Sequence, residues 1–157
     1  YTAAQYRALV GRARAAIPNV SLGADVIVGF CGETDADYQA TRRLVEEVRF
    51  DVVHIAAYSV RAGTPAARLA DDVPTEVKEA RRKDLEALQA GIAAEINAGL
   101  LGQTVEVLVE EMQRGRWRGR TRNNKLVFFE DDAELAGRLV EVRITWAGPW
   151  SLIGERA

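Results

Sequence analysis

The hydrophobic pattern of this chain changes its period near Gly99, and this change constrains the fold more than any other feature of the sequence. Before Gly99, apolar residues recur at the three-and-four spacing of amphipathic helices, with two short apolar runs between them. After Gly99, the apolar runs are short and separated by turn residues, which is typical of strands. We therefore predict an α/β region over residues 1–98, with a linking helix at 75–98, and an all-β domain over residues 99–157.

The α/β region is predicted to alternate helices with two parallel strands. Its elements, in order, are a helix at Thr2–Ile17, a strand at Ala24–Gly29, a helix capped by Thr34, a strand at Asp51–Ala57 and a helix from Pro74 to about Asn97. Continuous apolar strands of this kind are usually buried on both faces of a parallel sheet. The order strand–helix–strand indicates a parallel crossover.

The all-β domain contains four clear strand patterns at the spacing of a small barrel. They lie at Thr104–Val109, Lys125–Glu130, Arg138–Thr145 and Trp150–Gly154. Between the first two lies a basic stretch that could also be extended. Alternation with a period of two is clearest within Leu139–Thr145, so this segment is expected to have one buried and one exposed face.

Composition excludes several classes of protein and site. The net charge of −2 provides no global attraction to nucleic acid or membrane, so such a partner must meet a local patch. One cysteine, Cys31, excludes an internal disulfide and a metal site built only from cysteines of this chain, and it fits a cytoplasmic location. His54 has no second histidine to share a metal and is expected to be structural.

No apolar run reaches the roughly 20 residues that span a bilayer. The chain has no basic-then-apolar signal peptide at its start. Because it begins with Tyr1, and not with methionine, in the approach to a helix, we expect it to be a piece of a longer polypeptide.

Both predicted parallel strands end in glycine and polar residues, where α/β proteins usually bind ligands. In "DVIVGFCGETDADY", Gly29 and Gly32 would let a ligand approach the backbone, and Glu33 could bond to a ribose or an amine. The alternative is a tight turn in which Glu33 only helps to cap the helix. In "YSVRAGTPAA", Tyr58 could stack on a flat ring and Arg61 could bind a carboxylate or phosphate, or the segment could be a simple turn.

The segment "RGRWRGRTRNNK" concentrates positive charge without an intervening acid. Its cations are Arg114, Arg116, Arg118, Arg120, Arg122 and Lys125. In an extended chain the even-numbered arginines would share one face, where guanidinium groups can neutralise phosphates. Trp117 or Phe128 could offer a stacking surface for bases. A run of charge is usually only a solvated face, but we favour nucleic acid here, and RNA above DNA because small β-barrels often bind single-stranded or looped RNA.

Several blocks together resemble the C-terminal part of the radical S-adenosylmethionine methylthiotransferases, and in particular the tRNA 2-methylthio-N6-isopentenyladenosine synthase type. These blocks are "DVIVGFCGETDADYQATRRLVEEVRFD", "AAYSVRAGTPAA", "VPTEVKEARRKDLEALQ", "GQTVEVLVE", "GRTRNNKLVFFE" and "GRLVEVRITWAGPWSLIGE". The resemblance implies the C-terminal part of a radical-enzyme (β/α) partial barrel over residues 1–98, followed by a small five-stranded TRAM β-barrel that binds tRNA.

The resemblance also implies a reaction, its cofactors and its binding residues. Such enzymes use S-adenosylmethionine and [4Fe-4S] clusters to add a methylthio group to C2 of an isopentenyladenosine near the anticodon of tRNA. The cluster-binding C-x3-C-x2-C motif is not in this sequence, and Cys31 stands where the family usually has proline, so we expect no catalytic residue here and no activity of the chain alone. The implied cofactor-binding residues are Ile27, Gly29, Glu33, Tyr58 and Arg61. The implied RNA-binding residues are Arg116, Arg118, Arg120, Arg122, Asn123, Asn124 and Lys125.

Three alternatives stay open at this point. The parent enzyme could act on threonylcarbamoyladenosine in tRNA, or on a ribosomal protein, or the chain could be an RNA-binding module without chemistry. Val60 and Ala62 replace two prolines of the family's "YSPRPGT" loop, which should make this loop freer. Because a partial barrel exposes an unpaired strand edge, we also expect the chain to self-associate through that edge.

Overall fold

The computed structural model describes all 157 residues and contains two compact units. Unit 1 comprises Tyr1–Ala16 and Leu22–Gln89, and unit 2 comprises Ile17–Ser21 and Ala90–Ala157. The elements in chain order are α1 (Ala3–Ala16), β1 (Gly23–Val28), α2 (Asp35–Val48), β2 (Val52–Ala57), a short 3-10 helix (Pro65–Arg68), α3 (Thr75–Ala98), β3 (Thr104–Gln113), β4 (Arg116–Thr121), β5 (Leu126–Phe129), β6 (Leu139–Ala147) and β7 (Leu152–Arg156). The division between the units falls within α3, at Ala90.

The two strands of unit 1 form a parallel pair with α2 between them, as the sequence predicted. In their register Val28 lies beside Ala57, so both strands end at the same edge. The expectation that both faces are buried is wrong. Val28 and Val53 are buried on one face, whereas Ile27 is 57% exposed on the other, because this two-stranded sheet has a packed layer on one side only. No partial barrel beyond these two strands is present.

Helix α2 begins with the cap that the sequence predicted. The hydroxyl of Thr34 accepts the backbone N–H of Asp37, and the Asp37 carboxylate accepts the backbone N–H of Thr34 at 3.0 Å. This reciprocal capping box satisfies two N–H groups that the helix leaves unpaired. The hydroxyl of Thr34 also donates to the Asp37 carboxylate, and this bond, together with the one from the backbone N–H of Thr34, lowers the pKa of Asp37 below its usual value. The helix ends at Arg49, which adopts a left-handed conformation with φ +52°.

Helix α3 buries polar side chains that its apolar spacing did not indicate. Leu85 and Ile92 are buried, and four polar residues are buried beside them. They are Lys78, Arg81, Gln89 and Asn97. The amide of Gln89 donates to the carbonyl of Phe50 at 2.9 Å, and both residues belong to unit 1. No helix of the chain is both long and apolar enough to cross a bilayer.

Unit 2 contains a closed five-stranded barrel in the order β3-β4-β5-β7-β6, which confirms the all-β prediction for this region. Its core consists of Val107, Val109, Trp117, Val127, Phe129, Leu135, Val140, Val142, Ile144 and Leu152. The indole of Trp117 lies in this core and is 4% exposed, so the prediction that Trp117 offers an external stacking surface is wrong. The alternation of β4 explains this result, because the residue between two outward-facing arginines must point inward.

Candidate nucleic-acid interface and strand-end cluster

The arginines of β4 lie on the outer surface of the barrel, as the alternation predicted. Trp117 and Gly119 are buried, whereas Arg116, Arg118 and Arg120 are exposed or half-buried. Antiparallel pairing places β4 between β3 and β5. We refer below to Arg116, Arg118, Arg120 and Arg122 as the arginine row. This row crosses the barrel surface with one strand on each side.

Each arginine of this row forms an ion pair with a glutamate, which the uninterrupted basic run did not reveal. Most of the partners lie on β3. The N···O distances are 2.9 Å for Arg118–Glu110, 3.0 Å for Arg118–Glu111, 3.3 Å for Arg120–Glu110, 2.8 Å for Arg122–Glu106 and 3.0 Å for Arg116–Glu130. The row is therefore a balanced array of charges and not a bare cationic strip.

A β-bulge explains how two consecutive glutamates reach one arginine. The register between β3 and β4 shifts between Val109 and Glu111, so that Glu111 pairs with Arg118 while Val109 pairs with Gly119. A bulge places two residues of one strand opposite one residue of its partner. Glu110 consequently lies between two arginines and contacts both Arg118 and Arg120. We refer below to Glu106, Glu110 and Glu111 as the acidic row.

Arg114 differs from the other arginines of the segment because it has no carboxylate partner. It occupies the turn that joins β3 to β4, with φ +52°, and Gly115 follows with φ +81°. Two consecutive positive φ angles are typical of a tight hairpin turn, in which an arginine is strained. The most exposed end of the hairpin therefore carries an unpaired guanidinium group.

The turn between β4 and β5 holds the three remaining residues of the predicted RNA site. Asn124 has φ +60°, and its side-chain and backbone oxygens both accept from Arg120 at 3.2 Å. Asn123 donates to the carbonyl of Asn19 at 2.8 Å. The backbone N–H of Lys125 donates to the hydroxyl of Thr121 at 3.0 Å. These contacts fix the turn beside the arginine row, and a role of the three side chains in RNA binding stays a prediction.

Phe128 remains as an aromatic candidate beside the arginine row. It is half-buried on the outer surface and lies opposite Arg118 in the β4–β5 register. Its neighbour on the other side is Ile153 of β7, which in turn pairs with Trp146 of β6. Trp146 is 49% exposed. An apolar band therefore continues from the arginine row around the barrel.

The strand ends of unit 1 are also brought together as predicted. The backbone N–H of Tyr58 donates to the carbonyl of Val28 at 2.8 Å, which places the two loops side by side. However, the group that approaches Gly29 closely is Lys78 of α3. A Cβ on Gly29 would lie 2.3 Å from Cγ of Lys78, and Gly29 has φ +70°. Gly29 is thus needed for chain packing, and its proposed contact with a cofactor stays a prediction.

Glu33 closes the first loop through two contacts. Its Oε2 accepts the backbone N–H of Gly29 at 2.6 Å and lies 2.7 Å from Arg81, whose guanidinium also contacts Asp35 at 2.6 Å. Burial opposes the charge of Arg81, but its hydrogen bonds to Asp35 and Glu33 outweigh burial and raise its pKa. The tight turn of the alternative interpretation is present, but Glu33 bonds to Gly29 and Arg81, and the helix is capped by Thr34 and Asp37 instead. A contact between Glu33 and a cofactor stays a prediction.

Tyr58 and Arg61 occupy different environments at the second strand end. The Tyr58 ring makes an edge contact with Phe30 at 5.0 Å between centroids, and the Lys78 ammonium lies 5.3 Å from its centroid. A hydrogen bond with Cys31, together with burial, raises the pKa of Tyr58. Arg61 is exposed, and its side chain has no ion-pair partner. No three His, Cys, Asp or Glu side chains converge to hold a metal ion.

Comparison with known proteins finds a domain family to which the barrel is similar. The family model for the TRAM domain matches residues 100–156. Unit 2 is therefore similar to TRAM domains over these residues. This result and the relatives described next confirm the resemblance noted from the sequence.

The whole chain has close relatives among tRNA-2-methylthio-N(6)-dimethylallyladenosine synthases. It is 55% identical to the synthase of Chloroflexus aurantiacus over 98% of this chain and 34% of that protein. It is 56% identical to the synthase of a Roseiflexus species over 100% of this chain and 34% of that protein, and 52% identical to that of Herpetosiphon aurantiacus over 99% and 37%. The chain thus spans about a third of the length of the curated relatives that it matches.

Among solved structures, a multidomain protein with nucleic acid binding domains from Streptococcus pneumoniae matches 37% of this chain and 23% of its own. The identity is 18% and the TM-score is 0.33. These values are too low to establish a common fold. The assignment of the barrel therefore rests on the TRAM match.

Proposed function

We propose that this chain is part of a tRNA-modifying methylthiotransferase and that the β4–β5 hairpin of its TRAM domain, which carries the arginines, binds the tRNA. We refer to it below as the hairpin. The observation that carries the proposal is the identity of 55% with the Chloroflexus synthase over nearly the whole chain. Similarity at this level covers both units, so the chain is more than an isolated RNA-binding module. The proposal includes a cytoplasmic location, where a tRNA substrate would be met.

The proposed reaction adds a methylthio group to C2 of an isopentenyladenosine near the anticodon. It needs S-adenosylmethionine and a [4Fe-4S] cluster, which supplies the electron for reductive cleavage of the cofactor. Iron–sulfur clusters of this type are held by cysteine thiolates, and this chain has one cysteine. The cluster ligands must therefore come from other residues, and we expect that this chain alone does not cleave S-adenosylmethionine. Reconstitution with iron and sulfide followed by stoichiometric release of 5′-deoxyadenosine would contradict this expectation.

The proposal assigns part of the surface for the adenosyl group to unit 1, which would correspond to the last part of a radical-enzyme barrel. Ile27 is 57% exposed on the open face of the sheet, beside Ala56 in the register, where an adenine ring could lie on apolar atoms. The unpaired Arg61 could meet the cofactor's carboxylate. Glu33 is already engaged by Gly29 and Arg81, so it fits this role less well. The residues present therefore fit the cofactor in part, and other regions of the protein must complete the pocket.

The open strand edges of unit 1 support a second part of the proposal. β1 and β2 pair only with each other, so each has one edge with unpaired backbone groups. Such edges favour pairing with another chain. We therefore expect self-association of this chain, and a monomer at all concentrations in sedimentation velocity would contradict it.

The RNA-binding role can be tested by measuring tRNA affinity as a function of salt. A protein that neutralises phosphates releases counterions, so the logarithm of its binding constant falls with the logarithm of salt concentration. Replacing Arg118, Arg120 and Arg122 together with alanine should reduce the slope by about 2 to 3, because roughly one contact is lost for each residue.

A matched control exists on the opposite side of the barrel. Arg143 on β6 forms an exposed ion pair with Glu155 at 2.9 Å, which resembles the pairs of the hairpin. Arg143→Ala should leave the slope unchanged within error. Equal slopes for the triple variant and the unmodified chain would remove the hairpin from the tRNA interface, while the assignment of the relatives' chemistry would be unaffected.

A further inference from the structure

We propose that the acidic row of β3 competes with phosphate for the arginines of the hairpin, so that RNA binds only where its phosphates can displace these carboxylates. The inference rests on the proposed tRNA-binding role of the hairpin. It assigns a specificity function to Glu110 in particular. Nothing in the basic sequence motif itself indicates such a function.

The position of Glu110 carries the argument. Its two carboxylate oxygens contact different arginines, at 2.9 Å from Arg118 and 3.3 Å from Arg120. A phosphate bridging these two guanidinium groups would occupy the same place, because phosphate and carboxylate can each present two oxygens to the N–H donors of arginine. The carboxylate and an RNA phosphate are therefore mutually exclusive partners of this arginine pair.

The competition is reversible because the pairs are accessible to solvent. The side chains of Arg118 and Glu110 are 30% and 32% exposed. Exposed pairs contribute little to stability, since water and salt screen them. Exchange of one anion for another thus does not disrupt the barrel. After exchange, the displaced glutamate remains close to the bound phosphate, and its repulsion weakens every complex in which the phosphate contact is poorly aligned.

The neighbouring strands indicate on which side of the arginine row the RNA backbone should lie. Glu106 lies directly opposite Glu141 in the β3–β6 register, so negative charge continues from β3 onto β6. On the other side, β5 presents Phe128 opposite Arg118. The RNA backbone is consequently expected to follow the β4–β5 side of the arginine row and to avoid the β3–β6 side. Arg114, which has no carboxylate to displace, would make the first contact with an approaching polyanion.

The decisive experiment replaces Glu110 by glutamine and measures the affinity of the full chain for tRNA and for poly-uridylate. Glu110→Gln retains the side-chain shape and an acceptor oxygen but removes the charge. We expect the Kd for tRNA to fall about threefold to tenfold at low salt, and the gain to shrink as salt screens the charge. The affinity for poly-uridylate should rise by a larger factor, because a flexible polyanion aligns less well with the arginines.

Two further variants make the outcome unambiguous. Glu155→Gln removes a carboxylate from the exposed Arg143 pair and should change neither affinity. Glu106→Gln, beside Arg122, should repeat the effect of Glu110→Gln more weakly, and it provides a second measurement if one variant is less soluble. Circular dichroism should show the same strand content in all three.

The possible results separate this inference from the proposed function. Weaker tRNA binding by Glu110→Gln would mean that the carboxylate orients the arginines, and an unchanged Kd would mean that it does not compete; either result overturns the inference and leaves RNA binding intact. If the unmodified chain itself fails to bind tRNA, the RNA-binding role fails, and this inference fails with it.

Discussion

Two regions of this chain hold arginines between carboxylates, and they do so in opposite environments. Arg81 in unit 1 is 7% exposed and contacts Glu33 and Asp35. Arg118 in unit 2 contacts Glu110 and Glu111 with 30% of its side chain exposed. The same chemical pair is a fixed structural connection in the first region and an exchangeable surface contact in the second.

The difference in exposure decides what each arginine can do. Removing one partner of a buried pair leaves an uncompensated charge, whereas removing one partner of an exposed pair leaves a charge that water solvates. Arg81 is therefore unavailable to a ligand without loss of the loop that it holds. Arg118 can change its partner at little cost, which is what binding to a polyanion requires.

The largest expected effect is the loss of stability in Arg81→Leu. This variant leaves Glu33, whose side chain is 12% exposed, without its cation, and the free energy of unfolding should fall by about 3 to 5 kcal/mol. Urea denaturation followed by circular dichroism measures the change. On the same helix, Arg82 pairs with Glu79 and Glu86 with 30% of its side chain exposed, so Arg82→Leu should cost less than about 1 kcal/mol. Equal losses in the two variants would contradict the distinction between buried and exposed pairs.

The next effect separates close packing from backbone strain at two glycines of the same loop. Gly29 and Gly32 both have positive φ, but a Cβ at Gly32 meets no atom within 4 Å, while one at Gly29 collides with Lys78. Gly32→Ala should cost only the strain of about 1 to 2 kcal/mol. Gly29→Ala should cost about 1 to 3 kcal/mol more, because Lys78 has to move. A smaller loss for Gly29→Ala than for Gly32→Ala in urea denaturation would show that the contact with Lys78 is not rigid.

Most of the fold could be predicted from the sequence because its signals are local. The cap at Thr34, the end of α1 before Pro18 and the alternation along β6 each depend on neighbouring residues. The burial of Lys78 and Arg81 could not be predicted in this way. Arg81 pairs with Glu33, which lies 48 residues earlier in the sequence, and Lys78 pairs with Asp71 in the loop before α3. Helical periodicity marks both positions as polar and gives no reason to bury them.

The arginines of the candidate site could be predicted from the sequence, but their ion-pair partners could not. Period-two alternation correctly placed Arg116, Arg118 and Arg120 on one outer face. The pairing with Glu110 depends on the register of β3 against β4, and a bulge shifts that register within the contact. A sequence run of positive charge therefore overstates the positive charge of the folded surface whenever the adjacent strand is acidic.

A smaller effect on stability is expected in the hairpin itself. Arg118→Ala should lower the free energy of unfolding by less than about 1 kcal/mol, because its ion pairs are exposed. The same variant should reduce the salt slope of tRNA binding by about 1. Comparing Arg118→Ala with Arg81→Leu tests whether Arg81 acts mainly in stability and Arg118 mainly in RNA binding. A loss of stability as large as that of Arg81→Leu would contradict the proposed exchange of partners.

The smallest effect concerns Asp131, which follows β5 in the barrel and anchors a loop in the way that Asp37 caps α2. Its carboxylate accepts the backbone N–H of Ala133 at 2.8 Å and contacts Arg156 at 2.9 Å, and these hydrogen bonds lower its pKa. Since the folded-state pKa lies below the unfolded one, its stabilisation is present above the unfolded pKa of about 3.9 and is lost as pH falls through the folded pKa.

Asp131→Asn should therefore melt at a lower temperature than the unmodified chain at pH 7, and the two melting temperatures should converge as the pH falls below about 4. Asp132→Asn, which changes the exposed neighbouring carboxylate, should show no such difference at either pH. A gap that persists at pH 3 would mean that Asp131 stabilises the loop through its shape and not through its charge. A half-buried carboxylate in the barrel would then act, like Glu33 in unit 1, mainly as a fixed acceptor of backbone N–H groups.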